Sequence, residues 1–311
     1  MAPVCPGLCF SRCFVCARLS SMDYVYLDSD EKIEKALVVF SGKKRIAVDF
    51  EGEFNLHIYG EHLCLVQIYD GTDFYIIDPR SSDVSVKALE HFFSLPVEKV
   101  WFDCQSDSAL VNKVYGLKIC NVFDVRVLAK MLGYSGNLKA VESEFLSIDN
   151  EIPKKKNQQA NWLKRPLPEE QIAYALEDVH YLLELQDVLV AAVKAKGLEK
   201  AVGHAMHKAT AVKKIDPPWT KTSGWKRMDA VEKIYARHIW IARDRIARRF
   251  NVPASWVMEK HLIPALAQSR PRSEAELVKH LSSVSDRFIR FLLPALKEEL
   301  KKADEEAARK L

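Results

Sequence analysis

The sequence predicts an α/β domain built on a mixed sheet and, behind it, a small all-α domain. Three patterns lead there: short β-rich runs with a hairpin turn, alternating strand-like and helix-like segments over 99–132, and helical periodicity alone from Glu169 onward. Asp28-Ser29-Asp30 supplies an N-cap ahead of a helix over 31–40. Residues 45–50, 62–69 and 73–77 read as strands, the last two joined by Asp70-Gly71, so an antiparallel meander is expected. Strands over 99–102 and 119–122 then alternate with helices over 106–114 and 125–132. One long helix is expected over 170–195. A linker with Pro217-Pro218 and Ser223-Gly224 follows, then three amphipathic helical segments over 229–250, 255–268 and 273–297. The expected order is an extension over 1–22, an α/β domain over 23–203, a linker over 204–228, a helical domain over 229–297 and a solvated or frayed charged tail over 298–311.

At 311 residues the chain is long enough for two domains, and its 48% hydrophobic and 28% charged content excludes a disordered or collagen-like chain. No apolar run approaches the roughly 20 residues that a membrane-spanning helix needs. The net charge of +4 hides a division: residues 1–210 carry 24 Lys and Arg against 29 Asp and Glu, whereas residues 211–311 carry 22 against 13. An acidic front and a basic back fit carboxylate chemistry beside a surface for a polyanion, although charged helix faces in solvent produce the same count.

Cys5, Cys9, Cys13 and Cys16 crowd the start, while Cys64, Cys104 and Cys120 stand singly. The odd total without a paired framework favours a reducing compartment, the cytoplasm. The spacing of the first four lacks paired C-x2-C, so zinc is not expected. Residues 1–22 hold no acid, and Arg12 interrupts what would be the apolar core of a signal peptide; Met22 is expected as the functional beginning.

Asp49-Phe50-Glu51 ends the first meander strand, and side chains two apart on a strand share a face, so two carboxylates converge. Buried without cations they repel and are poorly solvated; a hard divalent ion removes that cost, and oxygen-only ligands favour Mg²⁺ or Mn²⁺. The same pair also suits a strand emerging into solvent. Tyr174 and Asp178 lie one helical turn apart, fit to orient a water, though a buried Tyr also serves a core. Asp107, after the strand Lys99-Val100-Trp101-Phe102, and Asp124 suit either a site or ordinary helix starts.

Taken in order, Asp-x-Glu, a later Asp and Tyr-x3-Asp resemble the DEDD superfamily of 3′–5′ exonucleases. The likeness continues through Leu65-Val66-Gln67-Ile68, Ile77-Asp78-Pro79, Asn121-Val122-Phe123-Asp124, Trp162-Leu163-Lys164-Arg165-Pro166-Leu167 and Tyr174-Ala175-Leu176-Glu177-Asp178-Val179-His180-Tyr181-Leu182-Leu183, and over about 23–200 it resembles ribonuclease D. Members with a catalytic His place it five residues before the last Asp. That position is Ala173 here, and Tyr174 marks the tyrosine branch. The resemblance implies an RNase H-like mixed-sheet fold and two divalent cations, Mg²⁺ or Mn²⁺. It further implies that Asp49 touches both ions, Glu51 and Asp178 complete the nucleophile-side ion, Asp107 supports the second, and Tyr174 orients the attacking water. Its ordinary pKa of about 10 favours positioning over proton abstraction.

The basic helical segment resembles the helicase and RNase D C-terminal (HRDC) domain through Ile239-Trp240-Ile241-Ala242-Arg243-Asp244-Arg245-Ile246-Ala247, Asn251-Val252-Pro253, Ile263-Pro264-Ala265-Leu266-Ala267 and Arg270-Pro271. Long bacterial ribonuclease D chains often carry two such modules, and this chain has room for one. Lys156, Gln159, Trp162 and Arg165 are candidate RNA contacts, Trp162 as a stacking ring; a solvated loop with a core Trp fits equally. Lys233, Arg237 and Arg248, on one helical stripe with Asp244, form a candidate phosphate track or a solvated face. The expected activity is metal-dependent 3′–5′ exoribonucleolysis of RNA 3′ ends, as in tRNA or other structured precursors, releasing nucleoside 5′-monophosphates. A DNA exonuclease or a non-catalytic nucleic-acid adaptor remains open.

Overall fold

The computed structural model of the chain describes residues 23–148, 160–211 and 216–310. The cysteine cluster, Met22, Lys156 and Gln159 lie outside them. The chain forms two compact units, the first running to Lys213 without Glu53–Glu61, the second made of Glu53–Glu61 and the chain from Lys214 onward.

In the first unit, β1 (Tyr24–Leu27), β2 (Arg45–Phe54), β3 (Glu61–Tyr69), β4 (Phe74–Ile77), β5 (Glu98–Trp101) and β6 (Val122–Asp124) form one sheet in the order β1-β4-β3-β2-β5-β6. β3 and β4 are antiparallel, with Val66 opposite Ile77 and Tyr69 opposite Phe74, as the Asp70-Gly71 turn requires. Asp70 closes that turn by accepting the N–H groups of Thr72 and Asp73, and Gly71 supplies the left-handed φ of 93°. β1 pairs parallel with β4, and β5 pairs parallel with β2 and β6, so the sheet is mixed.

Parity along β2 divides its side chains between two apolar layers. Ile46, Val48 and Phe50 pack with α1 (Asp30–Ser41), α2 (Val86–Ser94) and α3 (Gln105–Tyr115). Ala47 packs on the other face, with α4 (Val125–Met131), α5 (Leu138–Leu146), α6 (Glu169–His180), α7 (Leu182–Ala195) and α8 (Glu199–Thr210). Asp49 and Glu51 continue the parity of Ala47, so they leave the sheet on the side where α6 packs.

Several expectations need correction here. β1, α2 and α5 were not anticipated; β1 is four residues long and needs β4 to pair with. The single helix over 170–195 is two, separated at Tyr181, whose backbone sits at φ −100° and ψ 0°. α8 occupies the first part of the expected linker, where Val202 is buried, and two short 3₁₀ turns, Pro218–Lys221 and Trp225–Arg227, occupy the end.

The second unit is helical, with α9 (Ala230–Phe250), α10 (Ala254–Val257), α11 (Leu262–Ser269), α12 (Glu274–His280) and α13 (Asp286–Lys310). α9 opens with a reciprocal capping box between Asp229 and Glu232. Two of the three expected helical segments are thus four helices, broken where Met258 and Leu281 leave helical geometry. The tail is no frayed end. α13 runs through it and buries Leu300, Ala303 and Ala307 in the same core as Ile239, Ala242 and Ile246 of α9. No helix among the described residues is long and apolar enough to cross a membrane.

Candidate active site

Strand parity on β2 and helical periodicity on α6 bring distant acids together. One carboxylate oxygen each from Asp49, Glu51 and Asp178 lies within 4.8 Å of the others. Tyr174, one turn before Asp178, lines the same cleft and is 6% exposed. The cleft has a volume of about 240 Å³, and its walls include Asp49, Phe102, Asp103, Arg126, Asn137 and Leu138. Asp107 lies outside the tight group of three, in the first turn of α3, where its Oδ2 accepts Trp101 Nε1–H at 2.9 Å. Its charge still acts on Asp49 and Glu51.

Burial raises Asp49 and Glu51 well above the ordinary carboxyl range, and their acidic neighbours raise them further. Asp107 is pushed up to about 7, chiefly by burial, with Asp103 and Asp124 adding to the rise against the Trp101 hydrogen bond. Tyr174 is raised above its ordinary value by burial, then by the charges of Asp178, Glu51 and Asp49, so its phenol keeps its proton at neutral pH. Without a cation, several ionised carboxylates in this pocket are mutually destabilising. An all-oxygen donor set on rigid elements fits a hard divalent ion, which removes that repulsion.

Behind Asp178 lies a feature that sequence patterns did not disclose. Lys139 Nζ sits 3.0 Å from Glu142 Oε2, 3.2 Å from Glu177 Oε1 and 3.9 Å from Asp178 Oδ1. Glu142 and Glu177 are both buried. Burial lowers the Lys139 pKa, but the three carboxylates outweigh it and hold the ammonium charged. Also lining the cleft, Arg126 pairs with Asp103 and lies 5.8 Å from the centroid of the Phe102 ring. Asp103 has a φ of 65°, and the Asp124 carboxylate accepts its N–H together with those of Cys104 and Arg126. The ambiguity of Asp124 resolves to holding the chain between β5 and α3. Phe102, Asp103, Arg126 and Lys139 carried no periodic or motif signal that would have marked them.

The candidate RNA contacts fare differently. Trp162 is 2% exposed, with its ring centroid 6.3 Å from that of Tyr174, so it packs against α6 and has no face open to a base. Arg165 grips Asp78 through Nε at 2.6 Å and Nη2 at 2.7 Å and also donates to the carbonyls of Cys64 and Trp162, leaving its guanidinium committed within the fold. In the second unit Arg237 pairs with Glu306. Arg248 donates to the Tyr59 hydroxyl at 3.1 Å and lies 3.5 Å from Asp244. The expected phosphate track therefore has two of its three cations already partnered, and Lys233 remains half-buried on the stripe.

A fold, an acidic cluster and a Tyr of this arrangement define a 3′–5′ exonuclease domain. The family model of that description matches residues 24–194, and the chain belongs to this family. The HRDC domain model matches residues 235–300. Among curated relatives, the exosome complex component 10 homolog of Caenorhabditis elegans is 26% identical over 84% of this chain and 31% of its own length. Exosome complex exonuclease RRP6 of Saccharomyces cerevisiae is 26% identical, covering 84% and 38%. Ribonuclease D of Jannaschia sp. is 27% identical, covering 85% and 64%. The chain thus spans about a third of the exosome relatives and under two thirds of that ribonuclease D. Escherichia coli RNase D, described as an exoribonuclease involved in structured RNA processing, superposes with a TM-score of 0.73 at 22% identity over 91% of this chain and 76% of that one. The catalytic core of RRP6 from Trypanosoma brucei gives 0.70 at 24% over 94% and 86%. These two likenesses establish the shared fold.

Proposed function

We propose that this protein is a divalent-metal-dependent 3′–5′ exoribonuclease, releasing nucleoside 5′-monophosphates from RNA 3′ ends in the processing of tRNA or other structured RNA. The observation that carries the reading is the meeting of Asp49, Glu51 and Asp178 oxygens within 4.8 Å, beside Tyr174 in an open cleft. The names of the relatives, ribonuclease D and exosome exonuclease, favour RNA over DNA as the substrate.

Asp49 is suited to contact two ions, Glu51 and Asp178 to hold one of them, and Asp107 to support the other. Ions bound there supply charge neutralisation at the phosphate and a more acidic water at neutral pH. The chain's own groups do the positioning. Tyr174 retains its proton, so it acts by holding the nucleophilic water in line and not by removing a proton from it. Lys139 keeps one opposite charge behind Asp178, which restrains the direction its carboxylate faces. The presence of all four acids and the Tyr argues against a silent adaptor.

Digestion of 5′-labelled RNA and DNA of equal sequence with Mg²⁺ or Mn²⁺ tests the reading. A ladder shortening from the 3′ end, strongest on RNA, is expected from the wild type. Asp49→Asn should abolish it, and Tyr174→Phe should lower kcat about 100-fold with little change in KM. A stronger DNA ladder would favour the DNA exonuclease. No release from either strand would favour the adaptor.

A further inference from the structure

The segment over 211–228 carries five Lys and Arg against a single acid, Asp216. Within it, residues 218–228 are held by local hydrogen bonds and packing. The turns Pro218–Lys221 and Trp225–Arg227 are joined through a Trp225 N–H to Thr222 carbonyl bond of 3.1 Å and through Gly224, at φ 76°. Trp219 meets Trp240 of α9 edge-on with ring centroids 5.8 Å apart, while Trp225 and Met228 pack on the helical core. Between the turns lies a concavity of about 340 Å³ walled by Thr220, Lys221, Thr222, Trp225, Lys226 and Arg227, with no acidic side chain in its lining.

The three cations differ from several basic side chains of α9. Arg237, Arg245 and Arg248 of α9 are all paired with carboxylates. Lys221, Lys226 and Arg227 make no ion pair among the described residues, and all three are exposed. The Thr222 hydroxyl oxygen is buried without a hydrogen-bond partner. Three like charges presented by a rigid, acid-free hollow repel one another, and an oxyanion relieves that repulsion. Because packing already fixes the turns, little ordering cost accompanies binding. Trp225, half-buried, adds an aromatic edge beside the cations, a combination that suits a nucleic-acid strand better than a bare anion.

We propose that this hollow binds a phosphodiester of the RNA strand, as a retention site formed by Lys221, Lys226 and Arg227 and separate from the hydrolytic cleft. The inference rests on RNA being the substrate, but its test does not require hydrolysis. In full-length Asp49→Asn protein without divalent metal, binding of a labelled single-stranded RNA is followed by fluorescence anisotropy across a salt series. The triple variant Lys221→Gln, Lys226→Gln, Arg227→Gln should bind about tenfold more weakly at moderate salt, and its log–log salt slope should be shallower by about 2, the release expected for three single-strand phosphate contacts. A control variant loses three ion-paired cations elsewhere, Lys297→Gln, Lys302→Gln and Arg309→Gln, and should keep the wild-type slope.

An unchanged slope in the first triple variant overturns the proposal, as does an equal loss in both. Calorimetry with inorganic phosphate alone separates the two oxyanion sources. Phosphate binding lost in the variant while its RNA affinity stays intact would make this a free-phosphate site and overturn the RNA assignment. The substituted side chains are exposed, and an unaltered thermal melt confirms that the fold is retained. If wild-type protein cleaves no RNA yet shows this slope difference, the activity reading fails while the retention site stands.

Discussion

Lys139 concentrates the electrostatic problem of the site in a single side chain. Its ammonium is surrounded by Glu142, Glu177 and Asp178, and two of those acids are buried. Lys139→Met should destabilise the first unit by about 3–5 kcal/mol, because the carboxylates it leaves behind are desolvated and unpaired. Adding Glu142→Leu should recover part of that loss in urea unfolding; equal stability of the single variant and the wild type would contradict the pairing. Asp49, Glu51, Tyr174 and Asp178 stood out in the sequence through the order of motifs that resembles the exonuclease family; the spacing within each pair, taken alone, fitted a solvent-facing strand or a core Tyr equally well. Lys139 and Arg126 did not stand out, since their partners come from other segments of the chain. Trp162 and Arg165 were legible as residues of the motif but not in role: only packing reveals that the ring is covered and the guanidinium bound to Asp78.

The acids also predict a pH dependence. A carboxyl whose folded pKa is raised from 3.8 to about 7, as for Asp107, favours the folded state most below its ordinary value and loses that contribution as pH rises through the folded one. Burial and acidic neighbours shift Asp49 and Glu51 in the same direction. The metal-free melting temperature of the first unit should therefore carry a component that falls between about pH 4 and pH 7, and saturating Mn²⁺ should offset it at the upper end. A profile unaffected by Mn²⁺ at neutral pH would contradict the shared pocket.

At the scale of elements, α13 shows where composition misleads. Its last third is rich in charge and Ala, yet Leu300, Ala303 and Ala307 fall at helical spacing and are buried against α9. Glu299 reinforces the contact through His238 Nδ1 at 2.8 Å, and Tyr235 bonds Asp304. Removing residues 298–311 should therefore lower the stability of the helical unit by several kcal/mol, about 3 or more, measured as an earlier urea transition; an unchanged midpoint would restore the frayed-tail reading. Long periodic segments such as α9 could be read directly. The break at Tyr181 could not, because Tyr is compatible with a helix and the apolar spacing continues across it. β1 escaped notice since four residues carry too little periodicity without their partner strand.

Over the whole molecule, the sequence's division into an acidic front and a basic back corresponds to two units with their own apolar cores. The mixed sheet and the helical second unit were both legible in the sequence. The assignment of Glu53–Glu61 to the second unit was not legible, because the stretch lies between two strands of the first unit in the sequence. Crystals of the wild type grown with Mn²⁺ and a short RNA, with anomalous scattering recorded at the manganese edge, test the proposed site most directly. Manganese is expected in contact with Asp49 and flanked by Glu51 and Asp178, with the RNA 3′ end beside Tyr174. Manganese bound elsewhere, or an RNA end outside the cleft, would contradict it.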